Sequence, residues 1–329
     1  MKKLVMKAIV LLCIIGLISA CGTQSSSTSE KQYTIGVTQI VEHPSLDKAF
    51  EGFKAALKDN GFVEGENVKY DVQIAQGDMS NNQTIGTNLV SKKVDLIFAN
   101  STPSAQGALN ATEEIPIIFT SVTDPLGAEL VKAMESPGGN VTGTTDTHPE
   151  AIPSMVDFIA TQFPDVKKIG FVYNSGEQNS VSQIEMVENV LKEKGLEAVK
   201  VSVSTSAEVK QAAESLIGRV DAFYMIGDNT VASALESVLK VLYDKDIPMF
   251  AGELDSVGRG CFAGYGFDYY DIGYEAGEMA VQVLKGEKSP AELPVQYPQK
   301  LKLVINKKAA EEMGVELKSA WDDMAEYIN

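Results

Sequence analysis

Short apolar runs of strand length alternate with amphipathic, helix-like segments along almost the whole chain. Two series of runs follow one another, at 33–40, 68–75, 94–100 and 115–122, and then at 167–174, 197–204, 220–227 and 247–252. Runs rich in Val, Ile and Phe are typical of parallel strands covered on both faces, and the alternation implies right-handed crossovers. The sequence therefore predicts an α/β fold with two doubly wound, open parallel-sheet lobes. Pro and Gly cluster at 136–149, where the first crossing between the lobes is expected.

The N-terminal segment differs in character from the rest. It has basic residues, then an apolar run from Ala8 to Ile18, then small residues before Cys21. The run is too short to span a bilayer as a helix, so residues 1–20 are predicted to be a secretory signal peptide. The sequence "LISAC" resembles the lipobox of bacterial lipoproteins, in which the cysteine carries a lipid anchor. The Ser- and Thr-rich residues 21–32 are predicted to be a flexible tether, which leaves the remaining domain anchored on the extracytoplasmic face of the membrane.

Composition argues against several functions. The net charge is −17, so binding to the phosphates of a nucleic acid is not expected. Of the three cysteines, Cys13 lies in the signal peptide and Cys21 at the lipid site, which leaves Cys261 alone. An internal disulfide and a cysteine-based zinc site are therefore not expected. His43 and His148 are far apart and lack the spacing of a zinc motif, and the sequence predicts neither a metal nor a cofactor.

Polar loops follow the predicted strands in both series. They read "TQIVEHPSLD", "NSTPSAQ" and "SVTDPLGAE" in the first, and "NSGEQNS", "GDNTVAS" and "GELDSV" in the second. Ligands of open parallel sheets bind beyond the carboxyl ends of the strands, and the free N–H groups of a helix start can hold an anion. The loops therefore predict a ligand site between the lobes. The candidate ligand-binding residues are Thr38, Ser101, Thr102, Thr123, Asp124, Glu177, Asn179, Ser180, Asp228, Asn229 and Glu253.

Two of these loops predict helix starts in detail. Pro103 suits the first helical position, which makes Thr102 the N-cap and leaves Ser101 facing the cleft. Ser180 and Gln183 have the spacing of a capping box. An alternative for every polar residue of these loops is a purely local role, as a helix cap, a turn former or a solvated charge.

The motifs of common enzyme classes are missing from the sequence. There is no G-x-S-x-G, no G-x-x-x-x-G-K-[ST], and no G-x-G-x-x-G that opens a helix after a strand. The candidate site consists mostly of hydroxyl and amide groups, a composition that favours binding over catalysis. We therefore predict a binding protein and not an enzyme, with a carboxylate pair for glycoside chemistry left open.

Several segments together resemble a known family. They are "SVTDPLGAELV", "GGNVTGTTD", "VYNSGEQNS", "GDNTVASALE", "FDYYDIGYEAGEMAVQVLKG" and "PQKLKLVINKKAA". The chain resembles the ABC-transporter substrate-binding lipoproteins of the tryptophan/tyrosine-type group, which have a type I periplasmic-binding-protein fold. The resemblance implies a three-crossing hinge, with 33–143 and 263–290 in the first lobe and 144–262 and 291–329 in the second. It also implies hinge closure around a ligand, with a permease and an ATPase as partners.

The ligand predicted from the loops and from this resemblance is an aromatic or other apolar amino acid. Its carboxylate is expected to contact Ser101 and Thr102. Its ammonium group is expected to contact Asp228, with help from Glu177 or Glu253. The chain is expected to work as a monomer. The alternatives are a nucleoside, a sugar or another small solute as the ligand, and an exported ligand-sensing or hydrolytic domain.

Overall fold

The computed structural model describes residues 31–329. The signal peptide predicted at 1–20, the lipid site predicted at Cys21 and all but the last two residues of the predicted tether lie outside the described residues. None of the helices found between residues 31 and 329 is long and apolar enough to cross a membrane.

Five parallel strands form the sheet of the first lobe, in the order β2-β1-β3-β4-β5. The strands are β1 (Tyr33–Gln39), β2 (Val68–Ile74), β3 (Leu96–Asn100), β4 (Ile117–Val122) and β5 (Val141–Thr145). The connecting helices are α1 (Pro44–Asp59), α2 (Met79–Ser91) and α3 (Thr102–Ala111). The four strands predicted in the first series are confirmed. Strand β5 lies in the segment where the sequence predicted only a crossing.

Seven strands form the sheet of the second lobe, in the order β12-β11-β10-β9-β8-β6-β7. They are β6 (Lys168–Asn174), β7 (Glu197–Val203), β8 (Ala222–Met225), β9 (Met249–Ala251), β10 (Ala263–Gly266), β11 (Lys302–Asn306) and β12 (Ala325–Ile328). The helices after β5 are α4 (Ala151–Gln162), α5 (Gln178–Glu193), α6 (Val209–Leu216), α7 (Asn229–Ala232), α8 (Leu235–Tyr243), α9 (Leu254–Arg259), α10 (Tyr269–Leu284) and α11 (Lys307–Glu312). Short 3-10 turns lie at Ser206–Glu208, Pro290–Glu292 and Ser319–Trp321. Strands β10 and β11 pair antiparallel, so this sheet is mixed.

The two sheets repeat one strand order. The run β7-β6-β8-β9-β10 corresponds strand for strand to β2-β1-β3-β4-β5. In each sheet the first strand of the lobe therefore lies between the second and the third, and the chain reverses its direction of winding there. Ligands bind outside such a switch point, so the loops that follow β1, β3, β6 and β8 are placed to form a site.

Two lobe boundaries differ from the prediction. Residues 263–266 were expected in the first lobe, but they form β10, whose backbone pairs with β9 and β11. Residues 291–296 were expected in the second lobe. Instead the Val295 N–H donates to the Met134 carbonyl at 2.7 Å and the Gln296 N–H donates to the Gly143 carbonyl at 3.0 Å, beside β5. The three crossings are therefore at 146–150, 267–268 and 297–301, because backbone pairing extends beyond the boundaries that the resemblance implied.

Helix α10 completes the first lobe, although the strand before it belongs to the second. Its residue Ala276 shares a core cluster with Phe53 of α1. The two helices approach closely where glycine leaves room for backbone: a Cβ at Gly273 would overlap the carbonyl oxygen of Ala49. The sequence therefore fixes the distance between α1 and α10 through a residue without a side chain.

Replacing Gly273 by Ala is expected to destabilise the protein. Alanine gains about 1 kcal/mol over glycine in helix propensity, but overpacking a core costs about 1–3 kcal/mol, and here the obstacle is backbone that cannot rotate away. The measurement is the midpoint of urea unfolding. The matched control is Gly139→Ala, since nothing lies within 4 Å of a Cβ at Gly139. A Gly273→Ala midpoint equal to that of the control would contradict the packing argument.

Candidate functional site

The loops at the carboxyl ends of the two sheets meet and bury almost all of the predicted site residues. Ten of the eleven candidates are buried, and Asp124 is half-buried. Among residues 31–329, the contacts that join the lobes include His43 Nε2 with Asn229 Oδ1 at 3.4 Å, Lys48 Nζ with Asp255 Oδ1 at 3.1 Å, and Ser182 Oγ donating to Asp124 Oδ2 at 2.9 Å. The lobes are therefore closed on one another around these residues.

On the first-lobe side, the start of α3 differs from the prediction. Thr102 is already helical and Ser101 is the N-cap, with its Oγ accepting from the Ser104 N–H at 3.4 Å. Ser101 still pairs with β4 through its own N–H, so the chain must turn at this residue, and its φ of 111° reflects that turn. Thr102 is thereby left free: its Oγ1 is buried without a hydrogen-bond partner among the described residues, as is Oγ1 of Thr38.

On the second-lobe side, Asp228 holds three segments together. Its Oδ2 accepts from the Asn174 N–H and from Ser180 Oγ, both at 2.6 Å, and its Oδ1 accepts from the Val231 N–H at 2.8 Å. The carboxylate therefore caps α7 and ties it to the end of β6 and the start of α5. The predicted capping box of Ser180 and Gln183 is wrong, because the N-cap of α5 is Glu177, three residues earlier. Both side chains bond to the loop after β8 instead.

Both carboxylate oxygens of Glu177 accept hydrogen bonds, as those of Asp228 do. Its Oε2 accepts from Asn229 Nδ2 at 2.5 Å, and its Oε1 accepts from Thr230 Oγ1 at 2.8 Å and from the Thr230 N–H at 3.2 Å. Asn179 donates its Nδ2 to the Gly227 carbonyl at 2.8 Å, whereas its Oδ1 is buried without a partner in the described part of the chain. The start of α5 thus offers one free acceptor between the lobes.

Two acids follow β9, Glu253 and Asp255, and they make different contacts. Glu253 caps α9, with its carboxylate accepting from the Ser256 N–H at 3.0 Å. Asp255 forms the interlobe ion pair with Lys48 and also accepts from the Tyr269 N–H at 3.2 Å. Glu253 and Asp255 therefore fasten α9 to its own lobe and to the crossing before α10.

Sequence reasoning missed Asp146, which lies directly after β5. It is buried, with Thr123 Oγ1 donating to its Oδ1 at 2.8 Å and the Tyr269 hydroxyl donating to its Oδ2 at 3.1 Å. A Cβ placed on Gly227 of the second lobe would be 3.4 Å from Asp146 Oδ2. The rule used for the other loops, a polar residue at the carboxyl end of a strand, would have found it if β5 had been recognised as a strand.

Burial shifts the protonation of these groups away from their ordinary range. It raises the pKa of Asp146 to about 6 and, with the charge of Glu177 nearby, that of Asp228 to about 7. Burial and the neighbouring Asp255 raise the pKa of Glu253 to about 8. Burial lowers the pKa of His43 to about 4. The interface therefore disfavours negative charge, and a cationic group placed there would be stabilised.

No metal site accompanies these acids. Within residues 31–329, no three or more His, Cys, Asp or Glu side chains are grouped so that they could hold a metal ion. The donors that surround the buried carboxylates are backbone N–H groups, hydroxyls and amides, and these suit an organic ligand with polar ends.

Two α/β lobes with one strand order, joined by three crossings and meeting at the carboxyl ends of their strands, define the type I periplasmic-binding-protein fold. Residues 34–326 match the model of the family described as ABC transporter substrate binding protein, and the chain belongs to this family. Proteins of this class bind their substrates outside the cytoplasmic membrane.

Relatives at moderate identity cover nearly the whole chain. A tyrosine-binding protein from Clostridioides difficile is 44% identical over 310 residues, which are 94% of this chain and 88% of the relative. A Streptococcus pneumoniae ABC domain in complex with L-Trp is 35% identical, with a TM-score of 0.85 over 91% of this chain and all of the other. A ligand-free, open structure of a Clostridium difficile substrate-binding protein with adhesive properties is 39% identical, covering 90% of this chain and 99% of the other, with a TM-score of only 0.65. The closer match to the ligand-bound structure agrees with the interlobe contacts.

The free energy of unfolding is expected to fall as the pH rises from about 7 to about 8.5. In the unfolded chain Asp228 and Glu253 are ionised throughout this range. In the folded protein their pKa values of about 7 and about 8 keep them partly protonated. The unfolded state therefore binds fewer protons, and the two groups together cost about 1–2 kcal/mol over this range. The lowered pKa of His43 makes the free energy of unfolding rise with pH. Because this pKa falls from an ordinary 6.5 to about 4, the rise occurs mainly below pH 7.

Urea midpoints at both ends of the range test this prediction. Glu253→Gln should flatten the pH dependence, because its amide does not titrate. A wild-type midpoint that stays constant or rises with pH would contradict the assignment of raised pKa values.

Proposed function

We propose that the chain is the extracytoplasmic solute-binding component of an ABC importer and that it captures an aromatic amino acid between its lobes. The observation that carries the proposal is a set of buried polar atoms, where the lobes meet, that have no hydrogen-bond partner within residues 31–329: Thr38 Oγ1 and Thr102 Oγ1 from the first lobe and Asn179 Oδ1 from the second. A buried polar atom costs free energy unless it is hydrogen-bonded. A ligand with polar groups at one end would satisfy atoms from both lobes at once.

The start of α3 is the proposed site for the carboxylate of the ligand. Ser101 and Thr102 lie there, and the N–H groups and positive dipole end of a helix start favour an anion. The hydroxyl of Thr102 has no competing partner within residues 31–329. Several acidic side chains are buried where the lobes meet, and an ammonium group would lower the cost of burying them. These acids are Asp146 at the first crossing and Glu177, Asp228 and Glu253 on the second lobe. A zwitterion therefore fits the interface better than an anion or a neutral sugar.

Two relatives support an aromatic amino acid as the ligand. One is named for binding tyrosine and another was solved with L-Trp, at 44% and 35% identity and with coverage of most of this chain. A nucleoside or a sugar stays as the second outcome of the binding test. The candidate residues Thr123, Asp124 and Asn229 are proposed to act mainly through closure, since each bonds to a group on a crossing or on the opposite lobe.

Closure is the proposed signal to the transporter. The ion pair of Lys48 with Asp255 and the bond of Ser182 with Asp124 exist only when the lobes meet. A ligand that bonds to both lobes would shift the open–closed equilibrium by its differential contacts. The permease and ATPase partners would then recognise the closed form, and a lipid on Cys21 would keep the protein near them.

A melting-temperature panel tests the proposed ligand class. Purified protein is heated with L-tyrosine, L-tryptophan and L-phenylalanine, and with nucleosides and sugars at the same concentration. A ligand present at 100 times its dissociation constant adds about 2.7 kcal/mol to the free energy of unfolding, which for a protein of this size raises Tm by several degrees. We expect such a rise with at least one aromatic amino acid.

The panel also names what would overturn the proposal. A rise with a nucleoside or a sugar, together with none for any amino acid, would assign the site to another ligand class. Thr102→Val serves as a site control: it keeps the size of the side chain, removes the free hydroxyl, and is expected to reduce the rise caused by the amino acid.

The lipid anchor is tested separately. Cys21→Ser removes the sulfur that would carry the lipid and leaves the rest of the chain unchanged. We expect wild-type protein in the membrane fraction of the producing cells and the variant in the soluble fraction or the medium. The matched control is Cys13→Ser, which removes the other cysteine of this segment. Membrane association that survives Cys21→Ser would exclude anchoring through this residue.

A further inference from the structure

The buried acids at the lobe interface fall into two groups by their hydrogen bonds. Asp228, Glu177 and Glu253 all accept from backbone N–H groups at short helix starts of the second lobe. Carboxylates in such positions are caps, and their oxygens are already directed at the backbone. Asp146 is different, because its carboxylate accepts hydrogen bonds from two hydroxyl groups, those of Thr123 and Tyr269.

Asp146 lies between the first-lobe sheet and the second lobe. Its own N–H donates to the Val122 carbonyl at 3.1 Å, so the residue continues the edge of the first-lobe sheet into the first crossing. Thr145 and Thr147 line an apolar groove on one side of this segment. Alternate residues of an extended chain point to opposite sides, and Asp146 accordingly faces the other way, toward Gly227 at the end of β8.

Within residues 31–329, no lysine, arginine or histidine side chain pairs with Asp146. A buried carboxylate is costly unless an opposite charge or several strong donors accompany it, and two neutral hydroxyls provide only part of that. Lys48, the cation that reaches into the interface, is bound to Asp255. Burial accordingly raises the pKa of Asp146 to about 6.

We propose that Asp146 binds the ammonium group of the ligand, and that Asp228 organises the second-lobe wall without contacting that group. This assignment rests on the proposed function, because it requires an amino acid as the ligand. The ammonium then lies beside the first crossing, where Thr123 and Tyr269 orient the carboxylate and Gly227 approaches on closure. The carboxylate of the ligand remains at the start of α3, on the same lobe as Thr123.

The test compares two ligands that differ only in the ammonium group. They are L-tyrosine and 3-(4-hydroxyphenyl)propionate, which has the same ring and carboxylate. Calorimetry on wild-type protein is expected to give an affinity for L-tyrosine about 10–100-fold higher, since a hydrogen-bonded charge contributes about 1.5–3 kcal/mol. Asp146→Asn should lower the affinity for L-tyrosine by a similar factor and change that for the deamino analogue by less than about threefold.

Control variants separate binding from folding. Asp165→Asn removes one exposed carboxylate far from the interface and controls for the change in net charge. Asp228→Asn is expected to weaken both ligands by the same factor, because it loosens the wall as a whole. If Asp146→Asn folds poorly, Asp146→Ser provides a second variant on which both affinities can be measured. The ratio of the two affinities in wild-type protein tests the ammonium contact without any variant.

The outcomes distinguish this assignment from the proposed function. Wild-type protein that binds neither compound nor any other aromatic amino acid overturns the proposed function and the assignment with it. Wild-type protein that binds both compounds equally tightly overturns the ammonium contact. Loss of both ligands alike in Asp146→Asn, or a selective loss of L-tyrosine in Asp228→Asn, overturns the role of Asp146 while the proposed function stands.

Discussion

Acidic side chains outnumber basic ones where the two lobes meet, and the rest of the site depends on how these acids are held. Asp146, Glu177, Asp228 and Glu253 are buried with N–H and O–H donors around them, whereas Asp255 pairs with a lysine. Burying a charge is expensive unless hydrogen bonds and opposite charges replace the lost water. The doubly wound sheets supply the bonds, because each strand ends beside a helix whose first N–H groups are unpaired. The opposite charge is left for the ligand to bring.

Under the proposed function, this arrangement would let one cleft both select a ligand and signal that the ligand is bound. A zwitterion relieves the unfavourable burial of negative charge at one end and satisfies a helix start at the other, whereas a neutral solute does only part of this. The gain would be larger with the lobes closed, since water would reach the interface in an open form and lower the cost of burying a charge there. Selectivity and closure therefore arise from one electrostatic condition.

The fold was largely readable from the sequence, because strands covered on both faces leave continuous runs of Val, Ile and Phe. The strands of both series formed where these runs lie. Strand β5, with the composition "VTGTT", was not recognised, since its threonines and glycine read as a turn. Strand β12 at the end of the chain was missed as well, because it is a short edge strand with mixed burial.

The sequence predicted which loops form the site but not the role of each residue in them. The rule that ligands bind beyond strand ends selected buried residues at the interface, but it could not tell a helix cap from a free group. That distinction needs tertiary geometry. Asp228 bonds to Asn174 and Ser180, which are 54 and 48 positions away in the chain. The unpaired hydroxyl of Thr102 follows from a cap one residue earlier than the pattern suggested. Asp146 was missed for the same reason as β5, because its strand was not seen.

The packing of α10 on α1 has a further consequence for the order in which the protein can fold. The contacts join residues near the start of the described chain to residues after β10, so they rank among the most distant in sequence. Contacts of this kind form late, because the entropy of closing a long loop is lost before they contribute. The part of α1 that packs on α10 stays uncovered until α10 has been synthesised, and most of the second lobe lies between the two helices in the sequence. The first lobe therefore begins the sequence but lacks α10 until most of the second lobe has been synthesised.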